Sequence, residues 1–144
     1  MVPFSATLKI LGRKLPRNPE SDQAVARGLV DRGLPASTID RLAVAYATTV
    51  EEIQRLLGVS RTTGKRQRSS NSALRPLAAD RALRLARVLA LTRFVLEDDG
   101  KAARWLKERN RALRGERPID LLATETGTDA VEELLGRIEY GIFS

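Results

Sequence analysis

The sequence predicts an all-α protein, and three observations lead to that prediction. Of the 144 residues, 42% are hydrophobic but only 4% are aromatic, and Ala, Leu, Val and Arg dominate, a composition that favours helices over sheets. Apolar residues recur at helical spacing in most segments, and helix-capping residues separate those segments. The length suits one domain, or two very small modules that share a core.

Net charge and missing residue types narrow the function. Lys and Arg number 25 against 18 Asp and Glu, and the net charge of +7 favours acidic partners, nucleic acid first. The chain has no cysteine and no histidine, so disulfides, zinc fingers and Cys or His catalysis are excluded, and we expect no metal, no cofactor and no enzyme activity. The remaining acid pairs, Asp98 with Asp99 and Glu132 with Glu133, are typical of helix starts and solvated surfaces.

The sequence predicts a cytoplasmic protein that begins with a basic arm. No segment reaches the roughly 18 consecutive apolar residues of a membrane span, and the N-terminus lacks the apolar core of a signal peptide. Residues 1–17 hold four basic side chains, no acidic ones and two prolines, so we predict a mobile N-terminal arm. The sequence leaves open whether this arm reaches a DNA minor groove.

Positive charge is concentrated in the middle of the chain. Residues 61–93 carry nine basic and one acidic side chains, whereas residues 94–144 carry eight basic and eleven acidic ones. We therefore expect a DNA-binding domain over residues 18–97 and a separate C-terminal domain over residues 98–144. The first of these domains begins with a helix that starts at Asn18-Pro19-Glu20 and ends at Gly33, and a second helix follows Ser37.

A helix-turn-helix motif opens the basic stretch. Thr49 and Glu52 form a capping box that starts one short helix, and Gly58 ends it. Ser60 caps the next helix after the three-residue turn Gly58-Val59-Ser60. Two short helices joined in this way are typical of a helix-turn-helix, whose second helix faces outward to DNA.

The second helix, over residues 61–68, is the predicted recognition helix. Its Arg and Lys side chains can reach phosphates or guanine edges, and its N-terminus favours a phosphate. Gly64 and Gln67 stand where apolar docking residues are usual, and an interior glycine costs about 1 kcal/mol relative to Ala, so we expect a frayed helix that orders on DNA. The alternative is a basic helical hairpin with no DNA-binding role. The predicted DNA-binding residues are Ser60, Arg61, Thr62, Thr63, Lys65, Arg66 and Arg68.

A long helix is predicted over residues 77–96. Arg81, Arg84 and Arg87 share one side of it, where they either contact the DNA backbone or form solvated surface. The opposite side carries the predicted core residues Leu85, Val88, Leu89, Thr92, Val95 and Leu96.

Shorter helices are predicted in the last third. One spans residues 100–109 after an Asp99 cap and contains Trp105, a predicted core anchor; another spans residues 119–126, and the last begins near Gly127 or Thr128. The chain ends on the apolar and aromatic residues 140–144, which is unusual for a terminus. Such an end either folds back on its own core or inserts into a partner's cleft.

The last third of the chain resembles a known family. Its residues are similar to the toxin-binding domain of the Xre/MbcA/ParS antitoxins, and residues 34–96 resemble the helix-turn-helix domain joined to it in that family. Arg109, where Pro is more frequent, and Gly64 depart from the family pattern. The matching residues are Trp105-Leu106, Asn110, Ala112-Leu113, Gly115, Pro118, Leu121-Leu122, Thr124, Gly127, Val131, Leu134-Leu135 and the stretch from Arg137 to Phe143.

This resemblance implies an antitoxin of a type II toxin-antitoxin system whose partner is a RES-domain toxin that consumes NAD⁺. It further implies that the chain covers the toxin's active-site entrance and represses the shared operon by binding operator DNA, as a homodimer or a larger assembly with toxin. On this basis Tyr140 and Phe143 would bury apolar area and Glu139 would pair with toxin cations. The expected toxin-binding residues are Arg137, Glu139, Tyr140, Gly141, Ile142, Phe143 and Ser144.

A second interpretation of the same residues is a stand-alone helix-turn-helix repressor. Its C-terminal domain would only dimerise, and its apolar tail would pack on the second copy. Both interpretations place DNA half-sites about one helical turn apart, so a partner pull-down, not a footprint, discriminates between them.

Overall fold

The computed structural model describes residues 2–17 and 21–141. Within these ranges the chain forms nine α-helices, one short 3₁₀ helix and no β-strand, which confirms the all-α prediction. The helices are α1 (Phe4–Ile10), α2 (Asp22–Arg32), α3 (Thr38–Ala45), α4 (Val50–Leu57), α5 (Arg61–Ser70), α6 (Pro76–Leu96), α7 (Asp99–Lys107), α8 (Pro118–Leu121) and α9 (Glu125–Glu139), with the 3₁₀ helix at Arg111–Leu113. None of the helices described is both long and apolar enough to cross a membrane.

The long helix α6 lies at the centre of the packing. It contacts six other helices, α1, α2, α3, α4, α7 and α9. Five of its buried residues are alanines, whose small side chains let several helices approach its backbone. One continuous hydrophobic core therefore runs from Ile39 and Ile53 in the first half of the chain to Leu106 and Leu135 in the second.

The N-terminal residues form a helix where the sequence predicted a mobile arm. Helix α1 buries Leu8 and Leu11, which are 1% and 2% exposed, and packs against α6. Pro3 stands at the N-cap of α1, where its fixed φ is compatible with a helix start. The mobile-arm prediction is therefore wrong over residues 4–11, whereas residues 13–17 are exposed and form no helix.

The next two helix starts differ from their predicted details. The predicted start at Asn18-Pro19-Glu20 lies outside the described residues, and Ser21 caps α2 by accepting a hydrogen bond from the Ala24 N–H at 3.1 Å. Gly33 ends α2 as predicted, with φ of +80°. Ser37 precedes α3, but its side chain makes no capping bond; its N–H donates instead to Asn71 Oδ1 at 3.1 Å.

The C-terminal helices begin earlier than predicted. Asp98, rather than Asp99, caps α7 by accepting a hydrogen bond from the Lys101 N–H at 2.8 Å. The helix predicted over residues 119–126 ends at Leu121, because Thr124 caps α9 through the Gly127 N–H at 3.0 Å. Trp105 is half-buried and packs against the core, as expected of an anchor.

Candidate functional site

Helices α4 and α5 and the turn between them form the predicted helix-turn-helix. Thr49 Oγ1 accepts a hydrogen bond from the Glu52 N–H, and Ser60 Oγ accepts one from the Thr63 N–H, both at 3.1 Å. Gly58 ends α4 in the left-handed conformation with φ of +72°, which turns the chain sharply toward α5. Only half of the predicted capping box forms, because the Glu52 carboxylate binds arginines instead of the Thr49 N–H.

Gly64 fixes the recognition helix and does not fray it. It is buried, and a methyl group added there would overlap the side chain of Gln54, which is 4% exposed in α4. Glycine thus permits α4 and α5 to approach each other at a point where most helix pairs place apolar side chains. Helix α5 is continuous to Ser70, two residues beyond its predicted end, so the expectation of a frayed helix is wrong.

The outward face of α5 carries cations without internal partners. Arg61, Thr62, Lys65 and Arg66 are exposed, and their spacing of one, four and five positions places them on one side of the helix. Within the described residues, none of the three cations takes part in an ion pair. Ser60 is exposed at the start of this face, and Thr63 is half-buried beside the turn. A polyanion is the ligand that such a face suits.

Arg68 differs from the other predicted DNA-binding residues. Its guanidinium binds Asp40 of α3 through two nitrogens, with the shortest distance, 2.7 Å, between Nη2 and Oδ1. Its side chain is only 31% exposed, and its charge is already neutralised by a carboxylate. Arg68 therefore holds α5 against α3, and its contact with DNA stays a prediction.

Two of the three predicted arginines on the long helix α6 have internal partners, which neither of the two predicted roles included. Arg84 donates to the backbone carbonyls of Leu122 and Ala123 at 3.3 Å, and it also pairs with Asp80 at 3.1 Å. Arg87 pairs with Glu132 of α9 at 3.2 Å. Two of the three arginines thus connect the long helix to the C-terminal part of the chain.

A closed group of four charges connects the helix-turn-helix to the C-terminal part. Glu52 binds Arg55 at 3.0 Å and Arg117 at 2.7 Å, and Asp120 binds Arg117 at 2.9 Å and Arg55 at 3.0 Å. Hydrogen bonds from Arg55 and Arg117 hold the pKa of Glu52 below its ordinary value, and bonds from Arg117 and Arg55 do the same for the pKa of Asp120. The group holds α4 and α8 together by alternating charge.

The end of helix α9 presents the predicted partner-binding residues to solvent. Arg137 pairs with Glu133 one turn earlier, at 2.8 Å, and Glu139, the last helical residue, is exposed. Tyr140 is 76% exposed, and Gly141 follows with φ of +69°. Ile142, Phe143 and Ser144 lie outside the described residues. The aromatic ring of Tyr140 does not fold back onto the core. Of the two alternatives for this chain end, packing on its own core is therefore wrong for Tyr140.

A shallow groove beside that end was not predicted. Phe94, Val95 and Glu97 at the end of α6 face Ile138 and Glu139 of α9 across a volume of about 500 Å³. Phe94 is 44% exposed although it is aromatic. It lies off the apolar stripe of α6, and that deviation from helical periodicity is the signal by which the sequence could have revealed it.

These features define a protein with two binding surfaces on one core: a helix-turn-helix with an unneutralised outer helix, and a helical C-terminal part that ends in an exposed aromatic. Residues 26–87 match the antitoxin Xre-like helix-turn-helix domain, and residues 90–141 match the antitoxin Xre/MbcA/ParS C-terminal toxin-binding domain. The chain belongs to the Xre antitoxin family, as the resemblance predicted.

Similar proteins span most of the chain. It is 31% identical over 127 residues to Antitoxin Xre of Yersinia enterocolitica serotype O:8, covering 88% of this chain and 86% of that one. It is 29% identical over 130 residues to Antitoxin Xre of Photorhabdus laumondii, with the same coverage of 88% and 86%. A protein of Sphingobium sp. named Prs ADP-ribosylating antitoxin is 26% identical over 126 residues, covering 81% of this chain and 79% of that one.

Proposed function

We propose that this antitoxin neutralises a RES-domain toxin that consumes NAD⁺, by covering the entrance of the toxin's active site with its C-terminal segment, and that it represses its own operon through α5. The observation that supports this most is the position of Tyr140. Val131 and Leu135 of the same helix are fully buried, so the core of the C-terminal part is complete without the aromatic ring. An exposed aromatic side chain at the end of a rigid helix is suited to bury its area in a partner.

The proposed toxin class comes from the family resemblance, and the name of one relative agrees with it. The Sphingobium protein is named for ADP-ribosylation, a reaction that takes its ADP-ribose from NAD⁺. An NAD⁺-consuming partner for the present chain agrees with that name and with the family resemblance of residues 102–143. Covering a cleft that must admit NAD⁺ would stop the reaction sterically, without any catalytic group on the antitoxin.

The proposed toxin interface has an apolar and an acidic part. Tyr140 and the groove lined by Phe94 between the end of α6 and α9 supply apolar area. Glu139, which also lines this groove, supplies a negative charge for a toxin cation. Residues 142–144 would extend this surface into the cleft. Arg137, already paired with Glu133, would support the helix end more than contact the toxin.

The proposed DNA interface is the outer face of α5. Arg61, Thr62, Lys65 and Arg66 would reach base edges and phosphates of the operator, while Ser60 and the start of the helix would meet a phosphate. A homodimer would place two such helices about 34–36 Å apart, one turn of DNA. Action on the operator would place the protein in the cytoplasm.

Co-expression with the adjacent open reading frame tests the toxin part of this proposal. Host growth and NAD⁺ level are scored for the neighbour alone, with the full-length chain, and with a chain truncated after Ile138. We expect toxicity alone, protection by the full chain and renewed toxicity with the truncated chain. A thermal melt of the truncated chain verifies that it is folded. Full protection by the truncated chain would overturn the proposed mechanism.

The rival function, a stand-alone repressor, is tested by the same cultures. If the neighbouring protein is never toxic and none co-purifies with this chain, Phe94 and Tyr140 are better explained as surfaces that pack on a second copy. The operator contacts of α5 are common to both functions.

A further inference from the structure

We propose that a second DNA-backbone contact lies beside the recognition helix, formed by Arg13 and Lys14 after α1 and by Arg41 of α3. We name these three residues the basic turn. The inference rests on the proposed operator binding by α5. The added contact does not distinguish bases; it binds phosphates and orients the protein on the duplex.

The basic turn is held in place by the packing of α1. Leu8 and Leu11 are buried against the core, and the chain leaves α1 through Gly12, whose φ is +72°. The Gly12 N–H donates to the Lys9 carbonyl at 3.0 Å, and the Arg13 N–H donates to the Leu8 carbonyl at 2.7 Å. The backbone is therefore fixed as far as Arg13, which removes much of the ordering entropy that a mobile arm would lose on binding.

Contacts place this turn next to the recognition helix. The Arg41 guanidinium lies over Gly12 so closely that a methyl group there would be 2.8 Å from Nη1. Arg41 directly follows Asp40, and Asp40 holds Arg68 of α5 with a bidentate ion pair. The turn is thus linked to the C-terminal half of α5 by the contact of Arg41 with Gly12, by the peptide bond between Arg41 and Asp40, and by the ion pair of Asp40 with Arg68.

The charges of the basic turn have no ion-pair partner among the described residues. Arg13, Lys14 and Arg41 are exposed, and none of them forms an ion pair with a described residue. Residues 1–17 contain no acidic side chain at all. The carboxylate nearest to Arg41 along the chain, that of Asp40, is directed to Arg68. Three exposed cations beside a carboxylate that is already paired with Arg68 form a surface that a polyanion stabilises.

DNA fits this surface better than an acidic patch of the toxin does. The basic turn is connected to α5 through the Asp40–Arg68 ion pair, and both the turn and the outer face of α5 carry exposed cations. The proposed toxin interface is centred on Tyr140 at the end of α9, and no residue of the basic turn lines the groove between α6 and α9.

The test measures how DNA affinity depends on salt. The triple variant Arg13→Gln, Lys14→Gln, Arg41→Gln is compared with the wild type on the promoter fragment of its own operon between 50 and 200 mM salt, since each lost phosphate contact reduces the slope of log K against log[salt] by about 0.9. We expect the slope to fall by roughly 2 to 3 and the affinity at about 100 mM salt to fall at least tenfold, with base preference retained. The double variant Arg13→Gln, Lys14→Gln, which changes no helix, should lose about two thirds of that slope.

A matched control carries the same charge change elsewhere. Lys101→Gln, Arg104→Gln, Arg111→Gln removes three exposed cations from the C-terminal part, and its slope should stay within about 0.5 of the wild type. An unchanged slope in the triple variant, or an equal loss in the control, overturns the inference. The inference is also overturned if the triple variant no longer co-purifies with the toxin while its salt slope is unchanged. The three cations would then contact a protein and not DNA. If the wild type shows no preference for the promoter over scrambled DNA, operator binding itself fails, which is a distinguishable result.

Discussion

Arg117 Nη2 lies 2.7 Å from Glu52 Oε1, although the two residues are 65 positions apart in the chain. Glu52 belongs to the first helix of the helix-turn-helix, and Arg117 precedes α8 in the toxin-binding domain. With Arg55 and Asp120 they form a closed ring of alternating charges. The DNA-binding and toxin-binding parts of this antitoxin are therefore held together by ion pairs as well as by a shared core.

Glu52→Gln should destabilise the protein by about 1 kcal/mol, because Arg55 and Arg117 then share only Asp120 and the Glu52 site is partly buried. Urea unfolding monitored by circular dichroism measures this. Glu133→Gln serves as control: it removes a one-turn pair with Arg137 at a carboxylate that is 67% exposed, and should cost under about 0.5 kcal/mol. Equal costs for the two variants would show that the ring adds nothing to an ordinary surface pair.

Stability should fall in acid through the same ring. The pKa values of Glu52 and Asp120 are lower in the folded protein than their ordinary values of 4.5 and 3.8, through hydrogen bonds from Arg55 and Arg117. The unfolded chain therefore binds more protons in acid, so the stabilisation is complete above about pH 5 and is lost as the pH falls through the folded pKa values. The double variant Glu52→Gln, Asp120→Asn should show a shallower acid dependence of the free energy of unfolding. Parallel curves for the two proteins would contradict the assignment.

Gly64→Ala should destabilise the protein, although the same change in an exposed helix interior stabilises by about 1 kcal/mol. The added methyl group overlaps the buried Gln54 side chain, so that side chain must leave its packed position or α4 and α5 must move apart. Gly136→Ala in α9 is the control, since no atom lies within 4 Å of the added group, and it should raise stability. Thermal melts of both variants show whether each substitution lowers or raises the melting temperature.

A double variant tests the physical cause of the Gly64 effect. Gln54→Ala removes the overlapping side chain, so Gly64→Ala should cost less in that background than in the wild type. The same cost in both backgrounds would locate the strain elsewhere.

Phe94→Ala should weaken toxin binding at least tenfold, or about 1.4 kcal/mol, if the groove at the end of α6 contacts the toxin as proposed. Isothermal titration with the purified neighbouring protein measures the affinity. Val44→Ala, which truncates an 83% exposed apolar residue on α3, should leave the affinity unchanged. Identical affinities for the wild type and the Phe94 variant would remove the groove from the interface.

Local signals in the sequence predicted the helix-turn-helix well. The caps Thr49 and Ser60 and the turn glycine Gly58 act within four residues, so their geometry is encoded where they stand. Helix α1 was missed because seven residues make a marginal helix alone, and its stability comes from burying Leu8 and Leu11 against α6.

Competition between similar local signals explains the misplaced start of α9. Thr124 and Thr128 are both capping residues, but Thr124 takes the cap while the Thr128 hydroxyl donates to the Thr124 carbonyl at 2.7 Å. Glycine at 127 allows the first turn of α9 to approach the Leu121 carbonyl, which a side chain there would overlap. The partners of Gly64 and Glu52 are likewise set by tertiary packing, which no pattern of a single sequence encodes.

Operator binding and toxin neutralisation are proposed to reside on separate surfaces of one chain. The double variant Arg61→Gln, Arg66→Gln and the chain truncated after Ile138 test this separation most directly when each is scored for promoter affinity and for protection of cells that express the neighbouring gene. We expect the arginine variant to lose promoter affinity and still protect, and the truncated chain to bind the promoter and no longer protect. Protection by the truncated chain, or loss of both activities in both proteins, would show that the two surfaces are not separate.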